Sequence, residues 1–142
     1  MGQNATLFQK FINENKLPLV TSNNIEGFTT FILPEEQIIK DARVRAVVAI
    51  TEDDCYADMY IYDIANVIND DAIKSKLYIL LNDLNSTYKF ISFYESGNVI
   101  NAKCCIPFNN NFDAQLVFNI LSVLSRAVED EYDNIIKTLW NR

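Results

Sequence analysis

The chain has 142 residues, of which 49% are hydrophobic, with 19 acidic and 12 basic side chains and no histidine. A folded chain of this length removes roughly two thirds of its unfolded surface from water, which excludes disordered, collagen-like and disulfide-dependent classes and predicts a single domain over residues 1–142. The net charge of −7 opposes binding to nucleic acid, because phosphates repel an acidic surface that offers few cations.

No apolar run reaches the roughly 18 residues that a membrane-spanning helix needs, and no basic segment followed by an apolar stretch opens the sequence. We therefore expect a cytoplasmic protein without a membrane partner. The cytosol is reducing, so Cys55, Cys104 and Cys105 are expected to stay reduced. Cys104 and Cys105 are interpreted as small core residues rather than as a thiol switch.

The first half of the chain predicts one helix and three strands. Apolar residues at i, i+1, i+4 and i+5 predict a helix over roughly 4–15, with Asn4 as its N-cap and an end before Pro18. β-Branched and aromatic residues favour strands over 28–33, 44–50 and 56–62. The acidic segment 51–54 is predicted to join the second strand to the third as a hairpin turn.

A leucine-rich helix opens the second half. It is capped by either Asn69 or Asp70, and its apolar residues recur at helical spacing: Ile73, Leu77, Leu80, Leu81 and Leu84.

A hairpin is predicted next, with strands over 89–94 and 99–106 that meet around Ser96-Gly97. With a two-residue loop there, Glu95 would lie opposite Asn98. One side of the hairpin would then carry Ile91, Phe93, Ile100, Ala102 and Cys104, and the other Phe90, Ser92, Tyr94, Val99, Asn101, Lys103 and Cys105. A slip of one residue would exchange the two faces.

The last predicted element is a helix from Asp113, its N-cap, towards Trp140. One apolar stripe runs through Val117, Phe118, Leu121, Leu124, Val128, Tyr132, Ile135 and Leu139. A second stripe, Leu116, Ile120, Val123 and Ala127, widens the apolar arc over the first half. Such a helix would be about 42 Å long, whereas a strand of about seven residues spans about 23 Å. We therefore expect it to overhang its sheet, bend, or meet another chain.

The predicted order is α-β-β-β-α-β-β-α, with antiparallel hairpins in place of strand-helix alternation. The simplest way to bury these stripes is an α+β fold in which helices pack mainly on one face of a five-stranded antiparallel sheet.

Two stretches carry a family resemblance. Residues 77–85 read LYILLNDLN, a leucine-rich helix ending in Leu-Asn, and residues 89–100 read KFISFYESGNVI, an aromatic strand followed by a glycine turn. With the long final helix, the segment from about 77 to 140 resembles the YbjN family of bacterial sensory-transduction-regulator-like proteins, while residues 1–65 agree only in the order of elements. The resemblance implies a fold like that of type III secretion chaperones and a small, non-enzymatic, often dimeric intracellular protein. It implies no catalytic residue.

The search for catalytic chemistry predicts no enzyme and no cofactor. Without histidine the usual base for a serine or cysteine nucleophile is absent, and three glycines are too few for a phosphate-binding loop. The acids at 52–54, with Asp58, lack EF-hand spacing and are interpreted as a solvated turn rather than a metal site. Glu26, Glu35 and Glu36 could pair as glycosidase carboxylates, but nothing in the sequence distinguishes them.

Two functions remain. The first is a protein-interaction module, regulator-like or chaperone-like, that forms a homodimer and has a possible protein partner. The second is a small-molecule or ion sensor with a pocket between the sheet and the long C-terminal helix. The predicted partner-binding residues are Leu116, Ile120 and Val123 or, as the runner-up, Phe90 and Tyr94. The strand aromatics Tyr56, Tyr60, Tyr62, Phe90 and Tyr94 are interpreted mainly as residues covered by helices, with an association surface as the alternative.

Overall fold

A computed structural model describes residues 1–22 and 26–140. In chain order they form α1 (Gln3–Asn15), β1 (Val20–Thr21), β2 (Phe28–Ile32), β3 (Gln37–Ile39), β4 (Ala42–Thr51), β5 (Tyr56–Asn66), α2 (Asp71–Thr87), β6 (Ile91–Ser96), β7 (Val99–Pro107) and α3 (Ala114–Trp140). The predicted α+β class and the antiparallel sheet are confirmed. The predicted count of five strands is wrong, because the sheet has seven.

The two additional strands are β1 and β3. The strand order is β1-β2-β4-β5-β7-β6. β3 is not part of this order and pairs only with β4. β2 pairs with residues 47–51 of β4 and β3 with residues 42–44, so the two strands share one edge of β4. Strands of two and three residues are too short to show a period-two pattern, which is why the sequence did not reveal them.

β5 is longer than the predicted strand 56–62 because it continues through a bulge. The register shifts between Ile61 and Ala65, and Asp63 adopts a left-handed backbone with φ of 67°. Its N–H donates to Asn101 Oδ1 at 3.0 Å, which gives the extra backbone group a partner. The buried Asn101 side chain therefore lets pairing resume as far as Asn66.

The hairpin between β6 and β7 turns at Gly97-Asn98 rather than at Ser96-Gly97. Both turn residues have positive φ, 59° and 62°, as two-residue hairpin loops require. Ser96 pairs with Val99, so the predicted Glu95–Asn98 pairing is wrong by two residues. A shift of two preserves the faces, and the predicted inner set from Ile91 to Cys104 is indeed buried.

All three helices lie on one face of the sheet and share one hydrophobic core with it. α3 packs on β5 and β7, α2 on β6 and α3, and α1 on β4 and α3. Phe31, Val48, Met59, Leu77 and Ile100 are completely or almost completely buried in that core. None of the helices within residues 1–22 and 26–140 packs on the opposite face of the sheet.

Residues from both predicted stripes of α3 are buried, including Val117, Leu124, Ala127 and Leu139. α2 lies beside the second half of α3, where Tyr88 Oη donates to Glu131 Oε2 at 3.3 Å. The second half is therefore covered by α2 as well as by the sheet. Among the described residues, no helix combines the length and apolar character needed to cross a membrane.

The helix starts are held by side-chain caps. Asp70, one of the two predicted candidates, accepts from the Ile73 N–H at 3.0 Å, and Asp113 accepts from the Leu116 N–H at 3.0 Å as predicted. The prediction for α1 is wrong, because the helix begins at Gln3 and Asn4 is not its N-cap.

At the start of α1, a residue from the distant β4–β5 turn does the capping. Asp54 Oδ1 accepts from the Asn4 N–H at 2.9 Å, and the Asn4 side chain donates back to Asp54 O at 3.1 Å. A Cβ on Gly2 would lie 2.9 Å from Asp54 Oδ1, so glycine permits this approach. The carboxylate also complements the positive end of the helix dipole and fixes α1 to the sheet.

β6 is the edge strand of the sheet, and a side chain occupies part of its outer edge. Asn85, near the end of α2, donates from Nδ2 to Phe93 O at 3.1 Å and accepts from the Phe93 N–H at 2.8 Å. The amide thus takes the hydrogen bonds that another strand would make there.

We expect Asn85→Ala to lower the free energy of unfolding by about 1–3 kcal/mol, because the Phe93 backbone N–H and C=O both lose their partner. Urea denaturation measures the change. Asn82→Ala is the matched control, since Asn82 is exposed on the same helix, and it should shift stability by less than about 0.5 kcal/mol. Equal losses in the two variants would contradict the role of Asn85.

Candidate functional site

The face of the sheet without helices is called the open face and comprises side chains that alternate with core residues. They include Arg45 and Val47 of β4, Tyr56, Asp58, Tyr60 and Tyr62 of β5, Ser92 and Tyr94 of β6, and Lys103 and Cys105 of β7. The strand register sets Tyr60 beside Val47 on one side and beside Lys103 on the other. The open face is therefore one continuous surface across four strands.

Four tyrosines lie on the open face, Tyr56, Tyr60, Tyr62 and Tyr94. Tyr60 and Tyr62 stack with ring centroids 5.2 Å apart and an interplanar angle of 8°. The Arg45 guanidinium lies 5.8 Å from the Tyr62 ring centre, and Lys103 Nζ lies 5.0 Å from that of Tyr94. The interpretation of these aromatics as residues covered by helices is wrong, because the helices lie on the other face.

The runner-up partner-binding residues belong to this surface. Tyr94 lies on the open face, and Phe90, just before β6, is 49% exposed. Phe90 lines a shallow depression of about 330 Å³ with Asp58, Tyr60 and Lys103. The structure therefore places Phe90 and Tyr94 on the same surface as Tyr60 and Tyr62. The sequence analysis did not predict that these two pairs lie together.

The stripe on α3 is smaller than predicted. Leu116 and Val123 are 39% and 44% exposed, but Ile120 packs against the core and Ala127 is buried. The stripe thus leaves two separated side chains partly exposed, whereas the open face presents several adjoining ones.

Charges on and beside the open face are nearly balanced. Arg43, Arg45 and Lys103 carry positive charge, while Asp58 and Asp63 carry negative charge. Arg45 Nε pairs with Asp63 Oδ2 at 2.9 Å. The excess of acids in the chain therefore lies elsewhere on the surface.

The two adjacent cysteines have opposite environments. Cys104 is buried among core residues, as predicted, but Cys105 is exposed on the open face, so its assignment to the core is wrong. Burial raises the pKa of the Cys104 thiol to about 12. Desolvation, with the neighbouring Asp58 carboxylate, raises the pKa of Cys105 to about 12 as well.

The acidic turn at residues 52–54 has a structural role, because Asp54 is the residue that caps α1. Asp53 Oδ1 accepts from the Cys55 N–H at 3.0 Å, and hydrogen bonds from Thr51 and Cys55 hold the pKa of Asp53 below its usual value. Within residues 1–22 and 26–140, no three carboxylate or thiol side chains are grouped closely enough to hold a metal ion.

An apolar groove of about 310 Å³ lies on the helix side of the sheet, between the first half of α3 and the β3–β4 hairpin. Val44, Ala46 and Ile61 are buried at its floor, and Phe118 and Leu121 line it from α3. Residues before β1 and after β2 complete the lining. Since these segments are far apart in the chain, no local pattern in the sequence could indicate the groove.

No protein-family model matches the chain, and no curated protein or solved structure matches it either. The resemblance to the YbjN family and the type III secretion chaperone-like fold therefore stay predictions.

The tyrosines of the open face predict a loss of stability in alkaline solution. Burial and the neighbouring Tyr60 raise the pKa of Tyr62 to about 12, and burial also raises the pKa of Tyr60 and Tyr94. Unfolded tyrosine ionises near pH 10, so the folded state binds more protons above that pH and the free energy of unfolding should fall from about pH 10 to about pH 12.

Urea denaturation at successive pH values measures this loss, and Tyr62→Phe should make it smaller because it removes one of the shifted phenols. An unchanged pH dependence in Tyr62→Phe would show that Tyr62 titrates in the folded protein as it does when unfolded.

Cys105 is exposed, yet we expect iodoacetamide to alkylate it slowly at neutral pH. The thiolate is the reactive species, and a pKa of about 12 leaves very little of it. Mass spectrometry of the alkylated chain measures the rate. Asp58→Asn removes the carboxylate that raises the pKa and should accelerate alkylation of Cys105 but not of Cys55. Fast alkylation of Cys105 in the unmodified protein would contradict this expectation.

Proposed function

We propose that the protein is a non-enzymatic protein-interaction module, regulator-like or chaperone-like, that forms a symmetric homodimer through the open face. The observation that carries the proposal is the group of tyrosines, Tyr60, Tyr62 and Tyr94, on a sheet face that no helix of the described residues covers. Tyrosine rings add large contact area at low entropic cost, which is why interfaces are enriched in them.

The sheet edges support a face-to-face contact rather than strand pairing. Asn85 occupies the backbone groups of Phe93 on the β6 edge, and at the opposite end β1 has only two residues. Edges that are blocked or very short are poor templates for another strand. A second copy would therefore contact the face.

The charge distribution supports a second copy of this chain as the occupant. A twofold interface sets the same patch against itself, so a strongly acidic patch would repel its own copy. The open face avoids this repulsion, because the cations Arg45 and Lys103 balance Asp58 and Asp63 within a chain of net charge −7.

Under this proposal the chain is a bacterial, cytoplasmic relative of the YbjN family with a type III secretion chaperone-like fold, and the dimer offers surfaces to a further protein partner. The absence of histidine from the sequence supports a role without acid-base or nucleophilic catalysis. The reducing cytosol suits the free thiols Cys104 and Cys105.

We expect the unmodified protein to sediment at twice 16.3 kDa at micromolar concentration and Lys103→Glu to weaken dimerisation by at least about tenfold. Lys103 is exposed, so the substitution should not disturb folding, but it gives the open face an excess of acids, so that each copy would present an acidic patch to the other. Lys76→Glu on α2 is the matched control, because it changes the net charge equally away from the open face.

Leu116→Glu with Val123→Glu tests the other surface and should leave the dimer intact. A monomer from this double variant, with a dimer from Lys103→Glu, would move the interface to α3. A mass of 16.3 kDa for the unmodified protein at every concentration would overturn the dimer altogether.

A second candidate function is supported by the apolar groove, which lies between the sheet and α3. We propose it as the binding site of a small-molecule sensor. Pockets of about 300 Å³ are within the range of known ligand sites.

A further inference from the structure

The groove has a floor that only an apolar group can fill favourably. Val44, Ala46 and Ile61 from the sheet and Leu121 from α3 are at most 6% exposed, and the apolar surface that a ligand can reach is added by the half-buried Leu33, Ile39 and Phe118 and the exposed Ile38. None of these side chains has a polar atom. Transfer of an aliphatic chain from water to this floor is favourable, whereas a charged or strongly polar group would lose its hydration without compensation.

The polar atoms of the groove are three side chains near its outer wall, Gln37, Ser122 and Ser125. Both serines lie on α3 and already donate their hydroxyl protons to its backbone, Ser122 to Phe118 O at 3.2 Å and Ser125 to Leu121 O at 3.1 Å. Their oxygens therefore remain available as acceptors.

Gln37 adds a further acceptor. Its Nε2 donates to Glu35 O at 3.3 Å, which leaves its carbonyl oxygen able to accept. The hydroxyl protons of Ser122 and Ser125 are thus committed, while the oxygens of all three side chains and the second N–H of Gln37 remain for a ligand.

We infer that the groove binds a neutral aliphatic molecule whose polar end donates a hydrogen bond, a class represented by aliphatic alcohols. This inference depends on the second candidate function and names the ligand class of that site. The aliphatic chain covers the accessible apolar lining, Leu33, Ile38, Ile39 and Phe118, and the hydroxyl donates to a serine oxygen or to Gln37.

Ionised ligands of the same length fit less well. Among the described residues, no lysine, arginine, aspartate or glutamate lines the groove, so neither an anion nor a cation finds an opposite charge there. A carboxylate also has no proton to donate to the serine oxygens, and the net charge of −7 repels it. A neutral ligand with a hydrogen-bond donor needs no opposite charge in the groove and is not repelled by the net charge.

Three probes with one hydrocarbon length test the inference: 1-octanol, octanoate and octylammonium. Each is titrated into the full chain, with methyl NMR shifts of Val44, Ile61 and Leu121 as the readout of binding in the groove. We expect 1-octanol to bind at least about tenfold more tightly than either ion.

Ser125→Leu narrows the groove from the helix side and should abolish the shifts. Ser86→Leu is its matched control, because Ser86 is also helical and donates its hydroxyl to a carbonyl four residues earlier, Asn82 O at 2.7 Å, but lies outside the groove. Ser86→Leu should bind 1-octanol as the unmodified protein does. If Ser125→Leu fails to fold, the order of the three probes on the unmodified protein still decides the ligand class.

Tighter binding of octanoate or octylammonium would overturn the inferred ligand class and leave the sensor function standing. Groove shifts with none of the three probes would overturn the inference and the second candidate function together. Equal binding of 1-octanol to Ser125→Leu would show that the alcohol binds elsewhere.

Discussion

The burial of one sheet face under α3 is the interaction on which the rest of the structure depends. Val117, Leu124 and Leu139 are buried at intervals along the whole helix and contact the strands and α2 in one continuous core. Because all three helices are committed to this face, none is left for the other. The open face therefore follows from the packing of α3, and its half-buried tyrosines are a consequence of a sheet covered on one side only.

Local periodicity explains how much of the fold the sequence could predict. The spacing of Leu77, Leu81 and Leu84 identified α2, and period-two alternation assigned the faces of β6 and β7 correctly although the turn was misplaced. The alternation survived because the error was an even number of residues. β1 and β3 were missed, since two or three residues carry no period.

Sites built from distant segments could not be predicted in the same way. Phe90 and Tyr94 were predicted as runner-up partner-binding residues, but their position beside Tyr60 depends on the pairing of β5, β7 and β6. The cap that Asp54 supplies to Asn4 spans 50 residues, and the sequence shows only an acidic turn. In both cases the sequence shows which residues can form an interaction, while the tertiary structure determines which residue each of them contacts.

The two candidate sites lie on opposite faces of the same strands. On β4, Val44 and Ala46 line the groove, while Arg45 and Val47 point to the open face. Successive side chains of a strand alternate in direction, so neighbouring residues serve different surfaces with the thickness of the sheet between them. A second copy on the open face therefore leaves the groove uncovered, and the two proposed functions are compatible in one molecule.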